Sequence, residues 1–266
     1  MIYSFIGMGK PISVFNNTLK ARIKNYKSEH GGTSPLLVPG GIYAADTSKA
    51  AMFAAENDMN LYVDVGDLLS KSDIIFLFLS DKALSFIAST LMKYPVKGKI
   101  FCHFSPSFRA GVLDFDSANT YACMHLPYYE KTAKGTDTFG RIMVEGYGKG
   151  IDSIAYALGE LGLKCTLLND EEMLMYRMAM SVSSNMTEIL MRESRRMIKY
   201  SLASDKDLCN DILDIVQTNR EMLNSDITGR ITDDELVKEQ CRILKRVGMN
   251  RFSDVYASLM SMITEE

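Results

Sequence analysis

Short apolar runs recur along the first two thirds of the chain, each closed by glycine, proline or an acidic residue. Residues 2–6 form the first and end in Gly7-Met8-Gly9, the way a buried parallel strand enters a tight turn. Pro11 suits the first turn of a helix, and residues 12–26 carry the helical spacing. Residues 31–41 break the pattern as a long loop rich in glycine and proline. The pattern then predicts a second strand at 41–45, a helix at 47–57 capped by Asp46, a minor third strand at 62–63 and a fourth at 73–79. Further strands are predicted at 99–104 and 121–125, each leading into a proline-containing turn, and at 141–145 and 164–168.

From residue 171 only helical spacing remains, at 171–200, 205–224, 232–247 and 251–263, with Thr232 and Glu235 forming a capping box. Alternation followed by helices predicts a doubly wound, mostly parallel α/β sheet of Rossmann type over 1–168 and an all-helical domain over 169–266. No internal repeat or low-complexity segment interrupts this division.

The composition narrows the partners. At 266 residues and 47% hydrophobic content the chain can bury a large core. Thirty basic against 33 acidic side chains leave a formal net charge of -3, no field to hold nucleic acid or an anionic membrane. The apolar start lacks a basic leader, and the run at 74–79 is far short of the roughly 20 residues of a membrane helix. Five widely spaced cysteines, Cys102, Cys123, Cys165, Cys209 and Cys241, fit reduced thiols, and three histidines argue against a histidine-rich metal site. A cytoplasmic protein without metal, acting on small molecules, is expected.

A glycine turn between strand and helix lets backbone amides meet a pyrophosphate at the helix start, which makes Gly7, Met8 and Gly9 candidate cofactor contacts. Ile12 stands where the third glycine of the usual spacing would be, so helix and strand must pack differently here. Lys10 is placed to add charge beside a phosphate, or to be a solvated first-turn lysine. Asp46 is the acidic candidate for reading a ribose, although it lies beyond the roughly 20-residue separation expected. A helix cap explains it equally well, and Thr47, Ser48 and Lys49 are alternatives for a 2′-phosphate, so NAD and NADP both stay open.

Several short motifs, in this order, resemble the Rossmann-like oxidoreductases related to pyrroline-5-carboxylate reductase. They are Ile6-Gly7-Met8-Gly9-Lys10, Ser80-Asp81-Lys82-Ala83, His103-Phe104-Ser105, His125-Leu126-Pro127, Glu145-Gly146, and Tyr176 through Ser184-Asn185. The resemblance spans nearly the whole chain. It implies NAD or NADP as cofactor, contacts at Gly7, Gly9, Lys10, Ser80 and Asp81, substrate at the domain junction, and a homodimer through the C-terminal helices. The chain departs from the family at Pro106, at Leu126 and at Arg177.

His103 and His125 end predicted strands, at the edge where an open parallel sheet binds ligands, and each is a candidate for proton transfer beside a hydride step. Polar packing at strand ends is the alternative. Ser105 would support the same site. On the predicted helix around 173–191, Arg177, Ser181, Ser184 and Asn185 make one narrow polar stripe. Facing a cleft, Asn185 and Ser181 would orient substrate and Arg177 would neutralise a carboxylate; facing water, the stripe is a solvated surface extended by Glu188 and Arg192. The leading expectation is an NAD(P)-dependent oxidoreductase acting on a small oxo, imino or hydroxy-acid compound. A non-catalytic nucleotide-binding or regulatory dimer is the alternative, and a dimeric scaffold without cofactor ranks last.

Overall fold

One eight-stranded sheet organises the first two thirds of the protein, seen in a computed structural model that describes residues 1–9, 11–114, 118–126, 130–131, 137–138, 140–182, 186–201 and 234–264. In chain order the first elements are β1 (Ile2–Ile6), α1 (Ile12–Glu29), β2 (Val38–Tyr43), α2 (Thr47–Asn57), β3 (Asn60–Leu61), α3 (Val65–Ser70), β4 (Ile74–Leu77) and α4 (Asp81–Leu91). After β5 (Ile100–His103) and β6 (Thr120–His125) comes a short hairpin, β7 (Glu130–Lys131) and β8 (Asp137–Thr138). β9 (Arg141–Tyr147), α5 (Ile151–Glu160) and β10 (Lys164–Leu167) complete the sheet.

The strand order is β10-β9-β6-β5-β4-β1-β2-β3. All neighbours pair in parallel except β6 and β9, so the fold is a mostly parallel doubly wound sheet of Rossmann type. The chain leaves β1 toward β2 on one side and reaches β4 on the other. This reversal opens a crevice beyond the carboxyl end of β1, where such sheets bind ligands.

Alternation along the strands fills both faces. Phe5 and Phe76 join Phe15 and Leu19 of α1 and Phe53 of α2 in one buried cluster, with Phe15 edge-on to Phe76 at 4.7 Å. Ile75, Leu77 and Phe101 point the other way, against Leu68 and Leu69 of α3 and Leu84 of α4. Strands buried on both faces explain the unbroken apolar runs in the sequence.

β2 starts earlier than the glycines and proline of its loop predicted. Val38 and Pro39 pair with Ile2 and Tyr3, and the register then slips before Phe5. Across the slip Gly41 donates its N–H to the Ser4 hydroxyl at 3.0 Å, and a Cβ on Gly41 would lie 2.3 Å from the Asn60 carbonyl oxygen. Glycine is needed there for close backbone approach, not for a loop. β3 likewise forms at Asn60–Leu61 instead of at 62–63.

The chain divides into compact units Met1–Ala179 and Met180–Glu266, later than the composition shift. α6 (Asp170–Ser181) therefore belongs almost wholly with the sheet. Of the helix expected over 171–200, the described residues show α6 and α7 (Thr187–Ser201). In the second unit α8 (Asp234–Arg246) and α9 (Asn250–Thr264) pair, with Tyr256 donating to Gln240 at 2.7 Å. The helix expected at 205–224 and Thr232 of the capping box lie outside the described residues, as do Lys10, Ser184 and Asn185.

Candidate functional site at the carboxyl edge of the sheet

The turn after β1 is shaped by contact with the chain leaving β4. Gly7 has φ +93°, and a Cβ there would lie 2.3 Å from the Phe78 carbonyl oxygen. Gly7 donates its N–H to Tyr43 and Gly9 donates to Phe78, both at 2.8 Å. Neither amide is free for a ligand in this arrangement. Pro11 has no N–H to offer, the Ile12 N–H donates to the Gly9 carbonyl at 3.0 Å, and α1 begins without a side-chain cap. Ile12, in the place of the third glycine, is buried in the aromatic cluster.

At the end of β2, Asp46 caps α2 by accepting from the Lys49 N–H at 3.1 Å, and its carboxylate pairs with the Lys49 ammonium at 2.9 Å. Those bonds hold the exposed Asp46 carboxyl below its ordinary range. Both groups offered for reading a ribose or its phosphate are thus side by side on the surface.

Beyond β4 and β5 a second cluster forms. Ser80 caps α4, accepting from the Ala83 N–H at 3.3 Å. Asp81 accepts hydroxyl bonds from Ser105 and Ser107, both 2.6 Å long, tying the two strand ends together, and these bonds lower its pKa. His103 is fully buried beneath them. Its Nδ1 accepts from the Ser105 N–H at 3.2 Å and its Nε2 donates to the Arg109 carbonyl at 3.1 Å. Both nitrogens are therefore spent inside the protein, and the geometry favours polar packing over proton transfer for this residue.

Burial pushes the His103 pKa from 6.5 down to about 4, so the ring is neutral in the folded protein near neutral pH. The unfolded chain binds the extra proton between those values, and stability falls as pH drops through that window. The loss approaches about 3 kcal/mol at its acid end. In urea titrations at pH 7 and 4.5, His103→Asn should flatten much of this dependence; an unchanged pH profile would refute the buried neutral ring.

His125, half-buried at the end of β6, differs. Its Nδ1 lies 3.1 Å from the Tyr176 hydroxyl of α6, and among the described residues Nε2 has no partner. Burial, then the nearby Arg177 charge, lower its pKa, while burial raises that of Tyr176. A neutral imidazole thus touches a protonated phenol at the sheet's carboxyl edge.

Behind this pair Arg177 points into the sheet. It donates to the Phe108 carbonyl and to the Cys123 sulfur, each at 2.8 Å, and lies 3.6 Å from Glu145. Glu145, with a side chain 1% exposed, accepts from Arg109 Nε at 2.9 Å. Arg109 reaches on to Asp170 at 2.5 Å, and Tyr147 donates to the same carboxylate. Arg177 Nη2 is thus occupied and its charge is matched by Glu145, although its buried Nε has no hydrogen-bond partner among the described residues; the matched charge argues against its holding a substrate carboxylate. Ser181 sits half-buried at the end of α6. Leu174, Met175 and Met178 on this helix are exposed, whereas Arg177 of the polar stripe is turned inward.

Sequence reasoning missed Tyr176, Glu145 and Arg109 as parts of one constellation. Two of them stood in the quoted motifs, and an acid in the middle of the apolar run at 141–147 was the available signal. Among the described residues no group of three or more histidine, cysteine or acidic side chains could hold a metal ion. None of the described helices is long and apolar enough to cross a membrane.

No protein-family model matches the chain, and no curated protein matches it by sequence. Solved structures do. Protein TM1727 from Thermotoga maritima superposes with a TM-score of 0.68 at 16% identity, covering 99% of this chain and 98% of its own. A semialdehyde dehydrogenase NAD-binding protein from Cupriavidus necator, in complex with calcium and NAD, gives 0.58 at 13% identity over 99% of both chains. A reductive aminase from Aspergillus terreus, in complex with NADPH and ethyl-5-oxohexanoate, gives 0.58 at 15% identity over 99% of this chain and 90% of its own. At these identities the likeness is one of fold, and it extends from the Rossmann-type sheet through the helical end of the chain.

Proposed function

We propose that the chain is an NAD(P)-dependent oxidoreductase that moves a hydride between a nicotinamide and a small oxo or imino compound. The observation that carries this reading is the turn at Gly7, filled by the Phe78 carbonyl and opening at the switch point of the sheet onto an uncapped helix start. In this reading Gly7, Met8 and Gly9 would wall the pyrophosphate without the Gly7 and Gly9 amides, which are spent on Tyr43 and Phe78, and the first turn of α1 with Lys10 would supply the donors. Asp46 or its neighbours Thr47, Ser48 and Lys49 would meet the adenosine ribose, and Ser80 and Asp81 would flank the nicotinamide half. Solved relatives of the same fold in complex with NAD or NADPH support the reading. The ordered motifs further align it with reductases related to pyrroline-5-carboxylate reductase.

When bound, the nicotinamide supplies the hydride. The protein's share is the proton, which must reach the substrate nitrogen or oxygen as its carbon is reduced. The Tyr176 hydroxyl, held by His125 Nδ1, is placed to give it, and Asn185, Ser181 and Ser105 remain candidates for orienting the substrate. With Arg177 occupied, a neutral carbonyl or imine suits the site better than a hydroxy acid.

Purified protein should gain several degrees in thermal midpoint with NADH or NADPH, about 3 kcal/mol at a hundredfold excess over Kd. Tyr176→Phe should retain that gain while slowing reduction of a responsive imine or ketone about 100-fold. No shift with either nucleotide at millimolar concentration would sink the proposal. A shift without turnover across oxo and imino compounds would instead support a nucleotide-binding regulator, a reading favoured by the spent nitrogens of His103 and by Ile12 in place of the third glycine. A homodimer is supported by a cleft of about 820 Å³ within the second unit, where Met186, Ile189, Val255 and Leu259 are exposed. Sedimentation of the same sample as a monomer would overturn it.

A further inference from the structure

The carboxyl edge does not hold every unspent donor of the sheet. Because β9 runs antiparallel to β6, its last residue, Tyr147, pairs with Tyr121 near the start of β6, at the amino edge. There Gly148-Lys149-Gly150 leads into α5, a second strand, glycine turn and helix on the edge opposite Gly7. A cavity of about 640 Å³ lies beside the turn, walled in part by Asp73, Asn119, Thr120, Gly148, Lys149 and Ser153. Its volume falls within the roughly 300–1,000 Å³ of small-molecule sites.

Donors outnumber acceptors around it. Asn119 is 3% exposed; its Oδ1 accepts from the Lys99 N–H at 3.1 Å, but its Nδ2 is buried with no acceptor. A buried amide left unpaired is uncommon and calls for a partner. Thr120 accepts from the Gly150 N–H at 2.8 Å, which leaves its own hydroxyl proton to give. Among the described residues neither the Lys149 ammonium nor the Ser153 hydroxyl has a partner, and α5, ten residues long, begins without a side-chain cap. The single carboxylate on the wall, Asp73, already accepts from the Ile2 N–H at 2.8 Å.

We propose that this amino-edge cavity binds a small oxyanion, the phosphate or carboxylate group of a metabolite other than the dinucleotide. The buried amide of Asn119, the hydroxyls of Thr120 and Ser153 and the Lys149 ammonium supply the donors; the Gly150 and Ile151 amides at the start of α5 are already spent on Thr120 and the Gly148 carbonyl, and Asp152 offsets part of the positive helix end. Asp73 gives a neighbouring acceptor for a hydroxyl or ammonium on the same molecule.

Calorimetric titration of the full chain with sodium phosphate and, separately, sodium citrate, at constant ionic strength, tests this. Saturable binding of either is expected, and which one binds identifies the anion. Asn119→Asp keeps the shape but replaces a donor with a charge, and should weaken binding about tenfold or more. Lys149→Met, at an exposed position where folding is not at stake, should weaken it several-fold. Binding should persist when NADH and NADPH are present in excess. No saturable binding of either anion, equal affinity in both variants, or displacement by the dinucleotides would overturn the proposal, the last by placing the anion at the opposite edge.

Discussion

Glu145→Ala should lower the stability of the sheet unit by about 3–5 kcal/mol, among the largest losses any single side chain here can cause. The carboxylate is buried between two guanidinium groups, accepting from Arg109 and facing Arg177 at 3.6 Å. Removing it leaves Arg177, only 15% exposed, as a charge without its counterion beneath α6. Glu145 sits on β9 opposite Cys123 of β6, so the loss would also free the Arg177 contact to that sulfur and the seat of the neighbouring Tyr176. Urea denaturation checks the magnitude. Glu145→Gln should fall between wild type and alanine, because the amide keeps an acceptor for Arg109. A change below 1 kcal/mol in the alanine variant would show that the network contributes little.

Gly7→Ala should be comparably damaging, at about 3–5 kcal/mol, while Gly9→Ala costs about 1 kcal/mol or less. The two glycines look alike in sequence. At Gly7 the φ of +93° and a 2.3 Å approach to the Phe78 carbonyl exclude a methyl group unless β1 and β4 move apart. At Gly9 the nearest atom would be that same oxygen at 3.1 Å, with φ in the ordinary range, and a few tenths of an ångström relieve it. Because the displaced segment forms the floor of the crevice, Gly7→Ala should also abolish the thermal shift with NADH or NADPH. Equal effects at the two positions would refute the close packing of this turn.

The sheet was legible because its strands are buried on both faces. Apolar runs such as 74–79 leave no helical periodicity to compete, and Asp46 announces α2 by capping it, whereas the helix that Ser80 caps was not read from the sequence. The start of β2 was not legible, since Pro39, Gly40 and Gly41 carry loop chemistry and are strand only because Ser4 and Asn60 approach them from neighbouring strands. The segment around 173–191 left a different question open. Periodicity located its polar stripe but not which side the stripe faced, and the ion network with Glu145 turned Arg177 inward.

By itself, then, the sequence determined the alternating architecture and the glycine turn after β1, both consequences of local pattern and chain order. Only the tertiary structure decided how the polar side chains are spent. It closed both nitrogens of His103, paired His125 with Tyr176 across 51 positions, and left Asn119 unsatisfied at the far edge. The physical reason is range: propensity and periodicity act over a few residues, whereas burial and hydrogen-bond satisfaction depend on partners brought together from distant parts of the chain.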